Sequence, residues 1–261
     1  MTATLYTVLP AEVLAAPTPS SGDEVSALVE RRHRIFGCEL IQEAGILLRL
    51  PQIVMITGQY ILNRFYYRKS LRRFDAFTIA MGCVLLSTKL EERFTHVREI
   101  LFVFHHIFQK RRKVKLVVLE VGCAQYNVWK DELLVIEGTI MAELGFSFYN
   151  IIDHPHKCVL YFVRILNGTD ELAQRSWNYL NDCMRLDLSL RFPSQVLACS
   201  TIFMAARMML LSLPSDWWKL MTDKIDDIYE ICDEILSLYD NPKIDWLDPL
   251  NGEYSKYLWN Q

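Results

Sequence analysis

The chain has 261 residues, of which 51% are hydrophobic and 23% are charged, with only ten glycines and nine prolines. This composition excludes wholesale disorder and disfavours a turn-rich β fold, and the length suits two helical domains better than one. The net charge of −3 argues against a protein that grips nucleic acid over a wide surface, because such proteins are usually basic. We therefore do not expect nucleic acid among its partners.

The seven cysteines are scattered, without a C-x-x-C pair, and neither they nor the six histidines have the spacing of a zinc site. They predict reduced thiols in a soluble intracellular protein without metal or cofactor. The N-terminus lacks the basic start and apolar core of a secretory signal. Residues 196–213 are apolar enough to suggest a membrane span, but Arg207 lies inside them, at a cost of roughly 2.5–3.5 kcal/mol. A helix enclosed by other helices is expected there instead.

The first half of the chain carries a helical pattern from about residue 23 onward. Before it, residues 1–22 contain three prolines and close on Ser-Ser-Gly, which predicts a flexible arm. Five segments then predict helices, over residues 34–48, 51–67, 73–90, 95–108 and 122–144. Pro51 suits the first position of the second helix, and Gly145 suits the left-handed position after the fifth. The third segment is apolar nearly all round, which places it inside a bundle.

The second half continues in the same way after a linker over residues 145–153. Four segments predict helices, over residues 155–167, 169–188, 193–213 and 224–239, with a short piece at 215–222. Pro155 and Pro193 open helices, Thr169 can cap one, and Asn241-Pro242 ends the last. Sustained alternation of the strand type is absent from the sequence.

The two halves also resemble each other. When residues 80–89 are placed over residues 198–207, small residues fall on small residues and large apolar residues on large apolar ones. Each segment ends in a base, Lys89 or Arg207. Any helix crossed closely by its neighbours needs small residues, so the pattern alone could arise in any buried helix. The order of the surrounding elements repeats as well, which favours two five-helix units, each built around its third helix.

The chain resembles the cyclins, and most closely the L-type cyclins. The segments that carry the resemblance are GCELIQEAGILLRLPQIVMITGQYILNRFYYRKS (37–70), STKLEE (87–92), ELGF (143–146), HPHK (154–157), SWNYLNDCMRLDLSLRF (176–192) and EICDEILSLY (230–239). The resemblance implies an all-α fold of two tandem five-helix cyclin boxes, over residues 23–148 and 149–245, with a C-terminal extension over 246–261. L-type cyclins usually continue into an Arg/Ser-rich tail, and these 261 residues contain none.

The resemblance also implies a function: a nuclear, non-enzymatic subunit that activates a cyclin-dependent kinase in RNA polymerase II transcription and pre-mRNA splicing. The implied contact is Lys89 with Glu137, which in cyclins bond the backbone before the kinase regulatory helix. On spacing alone, Lys89 is an ordinary lysine at a helix C-terminus and Glu137 an exposed helix charge. Apolar residues of helices three to five would line the groove for the kinase helix: Leu86, Leu90, Phe94, Val97, Ile100, Leu101 and Ile140.

Several alternatives stay open. The basic loop formed by Lys110, Arg111, Arg112, Lys113 and Lys115 is a solvated loop, a nuclear-import patch, or a contact surface for a kinase or RNA. The motifs of phosphate-binding loops, zinc proteases and serine hydrolases are absent from the sequence, so we do not expect an enzyme. Besides the kinase regulator, the possibilities are a cyclin-box scaffold that binds nucleic acid or the transcription machinery without a kinase, and a kinase-free assembly platform. Transcription or splicing factors are further possible partners. The sequence specifies neither the kinase nor its substrates.

Overall fold

The computed structural model describes residues 7–146, 148, 152–222, 224–240 and 244–250. These residues form α-helices and one 3-10 turn, Trp217–Leu220, and contain no strand, so the predicted all-helical fold is confirmed. The helices, in chain order, are α1 Ala11–Ala15, α2 Pro19–Gly22, α3 Ala27–Leu47, α4 Gln52–Tyr66, α5 Ala76–Leu90, α6 Val97–Arg111, α7 Ala124–Leu144, α8 His156–Ile165, α9 Asp170–Cys183, α10 Leu188–Arg191, α11 Ser194–Met208 and α12 Ile225–Tyr239.

The first bundle consists of α3 to α7, and α5 lies at its centre. Every residue of α5 from Ala76 to Thr88 is buried, because α3, α4, α6 and α7 all pack against it. The carboxylate of Asp75 begins the helix by accepting hydrogen bonds from two backbone amides of its first turn. A Cβ atom on Gly82 would lie 2.6 Å from Ile136 Cγ2 of α7, so the close crossing of these two helices requires glycine.

The second bundle consists of α8 to α12, and α11 occupies the place that α5 has in the first. Its buried hydroxyl residues, Ser200 and Thr201, donate hydrogen bonds to carbonyls of their own helix, which satisfies them in apolar surroundings. Arg207 lies near the end of α11 with its guanidinium over the ring of Phe203. Among the described residues, no helix is both long enough and apolar enough to cross a membrane.

The segment predicted as one helix over residues 169–188 is divided in the structure. Residues 184–187 form a turn between α9 and α10. Within that turn, the carboxylate of Asp187 accepts a hydrogen bond from the Tyr67 hydroxyl at 2.8 Å, and a backbone carbonyl accepts one from the Asn63 side chain at 3.1 Å. Both donors belong to the first bundle, so contacts distant in sequence override the local helical pattern.

Smaller differences concern helix ends. Pro51 and Pro193 lie immediately before α4 and α11, in extended conformation, rather than in the first helical position. Helix α6 runs to Arg111, three residues beyond the predicted 95–108, so Lys110 also belongs to its last turn. Cations are favourable there because they face the negative end of the helix dipole.

The N-terminal arm, predicted to be flexible over residues 1–22, packs across both bundles from residue 7 onward. Leu9 is buried, and its amide donates a hydrogen bond to the carbonyl of Leu190 in the second bundle at 2.8 Å. Ser20 is fully buried, and its hydroxyl oxygen accepts a hydrogen bond from the amide of Leu71 in the first bundle. Residues 9 and 20 of the predicted flexible arm are thus packed against the bundles, and residues 1–6 lie outside the described part of the chain.

The C-terminal extension, predicted from residue 246 onward, returns to the first bundle as far as residue 250. The Trp246 ring lies 5.5 Å from Phe36, 5.6 Å from Phe77 and 5.4 Å from Phe108, between ring centroids. These phenylalanines come from α3, α5 and α6, so the extension closes over the seam between three helices. The rest of the extension, residues 251–261, lies outside the described residues.

Candidate partner-binding site

The structure brings Lys89 and Glu137 together. The Lys89 ammonium nitrogen lies 2.6 Å from one carboxylate oxygen of Glu137 and 2.8 Å from the other. Lys89 is in the last turn of α5 and Glu137 is in the middle of α7, so 48 residues separate them in sequence. The Lys89 side chain is 56% exposed and that of Glu137 only 10%, so a largely desolvated carboxylate holds an ammonium group that still faces solvent.

Helix α5 ends beside this pair in a tight turn. The amide of Glu92 donates to the carbonyl of Lys89, and the amide of Arg93 donates to that of Thr88 at 2.8 Å, which is the Schellman arrangement. The left-handed position of this motif usually carries glycine, but here Glu92 occupies it with φ = 54°. A side chain in this conformation costs about 1 kcal/mol.

Three of the predicted apolar residues lie at the surface. Phe94 is 85% exposed, and Leu90 and Val97 are half-buried. Phe94 and Val97 line one open surface pocket together with Lys89 and Glu92. An apolar wall and a charged pair therefore share one face of the first bundle.

The other four predicted lining residues lie in the core instead. Leu86 is 2% exposed, and Ile100, Leu101 and Ile140 are fully buried, so they have no surface to offer a partner. They sit where α5, α6 and α7 face one another. Their side chains therefore lie beneath the surface of the unbound chain, and their assignment as groove-lining residues stays a prediction.

Sequence reasoning also missed exposed apolar residues. On α7, Val128 is 45% exposed, Leu134 is 44% and Val135 is 66%, and Phe102 of α6 is 37% exposed. Val128 and Val135 are two turns apart and share one stripe of α7. The available signal was that α7 carries apolar residues on all sides, although a helix at the edge of a bundle needs them on one side only.

The first residues of the basic loop are not free. Arg111 is only 10% exposed and lies 2.7 Å from the carboxylate of Glu43, which Lys110 also contacts at 3.0 Å. The Arg111 guanidinium also lies over the ring of Phe36. Arg111 is therefore built into the contact between α3 and α6, whereas the Lys110 side chain is 60% exposed.

The later residues of the loop face the C-terminal extension. The Arg112 guanidinium lies over the Trp246 ring at 5.8 Å, and the Lys113 ammonium lies 2.9 Å from the carboxylate of Asp245. Lys115 is exposed. Much of the charge expected to form a contact patch is therefore directed to the chain's own residues.

A pair of acids lies at the opposite end of α5. Asp75 is buried, and Glu132 of α7 is close enough to interact with it electrostatically. Burial, together with the charge of Asp75, raises the pKa of Glu132 to about 7. Perturbed acids of this kind occur in catalytic sites, but here Asp75 serves as a helix cap. In the described part of the chain, no group of three or more His, Cys, Asp or Glu side chains is arranged to hold a metal ion.

Comparison with known families decides the identity. Residues 9–149, more than half of the chain, match the sequence model of the family described as Cyclin, N-terminal domain. The chain belongs to the cyclin family. Cyclins are regulatory subunits without a catalytic centre of their own, in agreement with the expectation that this chain is not an enzyme.

The similarity to L-type cyclins is also confirmed. The chain is 39% identical to Cyclin-L1-1 of Arabidopsis thaliana over 232 residues, which cover 88% of this chain and 55% of the relative. It is 39% identical to Cyclin-L2 of Homo sapiens over 243 residues, which cover 92% of this chain and 46% of the relative. This cyclin thus spans about half the length of the curated relatives it matches.

Solved structures share the fold. A chain in the crystal structure of the yeast RNA Pol II CTD kinase CTDK-1 complex matches with a TM-score of 0.71 and 16% identity, covering 96% of this chain and 82% of that chain. A chain of the CAK complex from Chaetomium thermophilum, bound to ATP-γ-S, matches with a TM-score of 0.55 and 14% identity, covering 87% of this chain and 68% of that chain. At these identities, the likeness shows the cyclin fold alone.

Proposed function

We propose that this cyclin is the activating subunit of a cyclin-dependent serine/threonine kinase and binds the kinase regulatory helix at the Lys89–Glu137 face. The observation that carries the proposal is the two-pronged contact of Lys89 with Glu137, next to the exposed ring of Phe94. The cyclin supplies no reacting group. It binds one conformation of the kinase better than the others and so shifts the kinase towards its active state.

The geometry suits a backbone carbonyl in the segment that precedes the kinase regulatory helix. An ammonium group has three protons, and two oxygens of Glu137 accept from Lys89, so one proton remains for a partner. An apolar helix face that covers Phe94 would also remove water from the ion pair. Hydrogen bonds to a charged group are stronger than neutral ones, and a dry interface screens them less.

The relatives support the proposed cellular process. The matched L-type cyclins and the chain from an RNA polymerase II CTD kinase complex support a role in transcription by RNA polymerase II. By the same relationship, we assign the protein to the nucleus and to pre-mRNA splicing, with transcription or splicing factors as further partners. The basic loop is a weaker candidate for RNA binding, since Arg111 and Lys113 already contact carboxylates of the chain itself.

The experiment is to co-purify the tagged cyclin with cyclin-dependent kinases from nuclear extract and to identify the kinase by mass spectrometry. The complex is then assayed on an RNA polymerase II C-terminal repeat peptide and on an Arg/Ser peptide. We expect the wild-type complex to phosphorylate at least one of them. We expect the Lys89→Ala/Glu137→Ala variant to lose affinity for the kinase by about a hundredfold, since it removes a desolvated charge pair at the centre of the interface.

The matched control is Lys219→Ala/Asp216→Ala, which removes an ion pair of similar length, 2.9 Å, that is exposed on both sides. This control should retain kinase binding and activity. If the Lys89/Glu137 variant activates the kinase as well as the control does, the site is wrong. If the wild-type cyclin captures and activates no kinase, the function is wrong, and an assembly platform is the better description.

A further inference from the structure

The carboxylate of Glu91 connects the partner-binding turn to both bundles. Glu91 directly follows α5, two residues after Lys89. One of its oxygens accepts a hydrogen bond from the Thr57 hydroxyl of α4 at 2.6 Å and lies 3.4 Å from Nε2 of His154. His154 precedes α8, the first helix of the second bundle. A single oxygen atom therefore joins α4, the end of α5 and the start of the second bundle.

The position of this carboxylate is unfavourable without those donors. An anion at the C-terminus of a helix faces the negative end of the helix dipole. The Glu91 side chain is only 18% exposed, and Thr57 is fully buried, so water solvates the charge poorly. A partly buried carboxylate is retained when donors compensate for lost hydration, and here Thr57 and His154 are the donors.

Burial and the nearby carboxylates act on the pKa of His154 in opposite directions, and burial has the larger effect. Burial lowers the pKa of His154 below its ordinary value, and the carboxylates of Glu91 and Asp153 act in the opposite direction. The Lys157 ammonium, which lies 2.7 Å from Asp153, assists the lowering. A neutral imidazole with its proton on Nε2 donates towards Glu91, while the buried Nδ1, which accepts no hydrogen bond from the described residues, carries no proton.

The anchored residue controls the shape of the binding face. Glu91 directly precedes Glu92, whose φ of 54° turns the chain from α5 towards the pocket wall formed by residues 92–97. The amides of Glu92 and Arg93 are bonded to the last turn of α5, which carries Lys89. Movement of the Glu91 side chain would therefore move the turn on which Lys89 and Phe94 depend.

We propose that Thr57 and His154 are positioning residues that hold Glu91 and thereby keep the partner-binding turn in its binding-competent shape. The second bundle then contributes to partner affinity without touching the partner at this point. The inference rests on the proposed function, because it names what prepares that same face.

The test combines partner affinity with hydrogen exchange of the unbound cyclin. His154→Leu removes the donor at similar volume, whereas His154→Gln keeps an N–H group near the Nε2 position. We expect His154→Leu to weaken kinase binding about tenfold and His154→Gln to stay within about threefold of wild type. The amide of Arg93, bonded to the Thr88 carbonyl at 2.8 Å, should exchange faster in His154→Leu and at the wild-type rate in His154→Gln.

His156→Leu is the matched control. His156 lies two residues on, but its Nε2 is 2.8 Å from the side-chain oxygen of Asn181 on α9, away from the turn. This variant should destabilise the second bundle and leave Arg93 exchange and kinase affinity unchanged. In a double-mutant cycle, His154→Leu combined with Glu91→Ala should weaken binding no more than the stronger single variant.

Two results would overturn the inference. One is wild-type Arg93 exchange and kinase affinity in His154→Leu. The other is faster exchange throughout the second bundle in proportion to the loss of affinity, which would make His154 merely structural. If wild-type cyclin binds no kinase at all, the proposed function fails, while Arg93 exchange still decides whether His154 positions the turn.

Discussion

This cyclin contains two ion pairs of opposite character, one buried between the bundles and one at the surface. In the buried one, Arg34 lies 3.5 Å from both Glu30 and Asp187 and donates to the side chain of Asn63. Its guanidinium also stacks over the ring of Tyr67. Only 8% of the Arg34 side chain is exposed, and each face of the group already has a partner.

The surface pair has fewer partners than the buried one. Lys89 is more than half exposed, and among the described residues its carboxylate partner is Glu137. The buried arginine is thus committed to holding α3 against the turn that precedes α10, and the lysine keeps donor capacity for another molecule. The comparison indicates that the number of hydrogen-bond partners, and not the presence of opposite charges, separates an ion pair enclosed in the fold from one that faces solvent.

The largest expected effect is the loss of the buried pair. Arg34→Ala leaves Glu30 without its cation in a dry environment and leaves Asp187 with the more distant Arg191, at 3.9 Å, and we expect the free energy of unfolding to fall by about 3–5 kcal/mol. Denaturant unfolding followed by circular dichroism measures this. Arg175→Ala, which breaks the exposed pair with Glu171, is the control and should cost about 0.5 kcal/mol or less. Equal losses in the two variants would remove the distinction between the pairs.

A smaller effect tests the asymmetry within the surface pair. Lys89→Ala leaves a carboxylate that is 10% exposed without its partner, and we expect a loss of about 1–2 kcal/mol. Glu137→Ala leaves an ammonium group that water can solvate, and we expect about 0.5 kcal/mol. The same unfolding measurement compares them. A larger loss for Glu137→Ala than for Lys89→Ala would show that packing around Glu137, and not unpaired charge, dominates.

The fold was predictable where the sequence pattern is local. Helix α5 is predicted by a local apolar run that begins after Asp75. Its similarity to α11 is visible in the sequence because both helices carry small residues where their neighbours cross closely. The division at residues 184–187 was not predictable, because its cause is hydrogen bonds from α4 and its C-terminal end to a turn more than 100 residues later. Helical periodicity likewise identifies an apolar face without saying which neighbour covers it, so it does not separate the buried Ile100 and Ile140 from the exposed Phe94.

The site was predictable only through family resemblance. Spacing alone identified Lys89 as a common C-terminal lysine and gave no reason to pair it with a residue 48 positions away. The anchoring of Glu91 by His154 had no sequence signal, because the two are 63 residues apart and the contact exists only once the second bundle is in place. The structure adds which charged side chains are buried among partners, as Arg34 is, and which remain exposed to solvent, as Lys89 does.

Asp75 and Glu132, near the start of α5, are a third case, in which two acids lie close to each other. Glu132 has a folded-state pKa of about 7 against an ordinary value of 4.5, so the folded protein binds an extra proton between these values. Stability therefore falls as pH rises from about 4.5 to 7 and does not recover above that range.

We expect Glu132→Gln to remove this dependence and to stabilise the protein at pH 8 by about 1 kcal/mol, a figure reduced for the partial exposure of the side chain. At pH 4.5 it should change little, because Glu132 is then protonated and neutral in the folded protein. Urea unfolding across this pH range measures the difference, with Glu171→Gln on the exposed face of α9 as the control. A constant difference between Glu132→Gln and wild type across the pH range would mean that the effect comes from packing. A difference that grows from pH 4.5 to 7 would show that the ionised Glu132 carboxylate, next to Asp75, destabilises the folded protein. Arg34, by contrast, is stabilised by its carboxylate and amide partners.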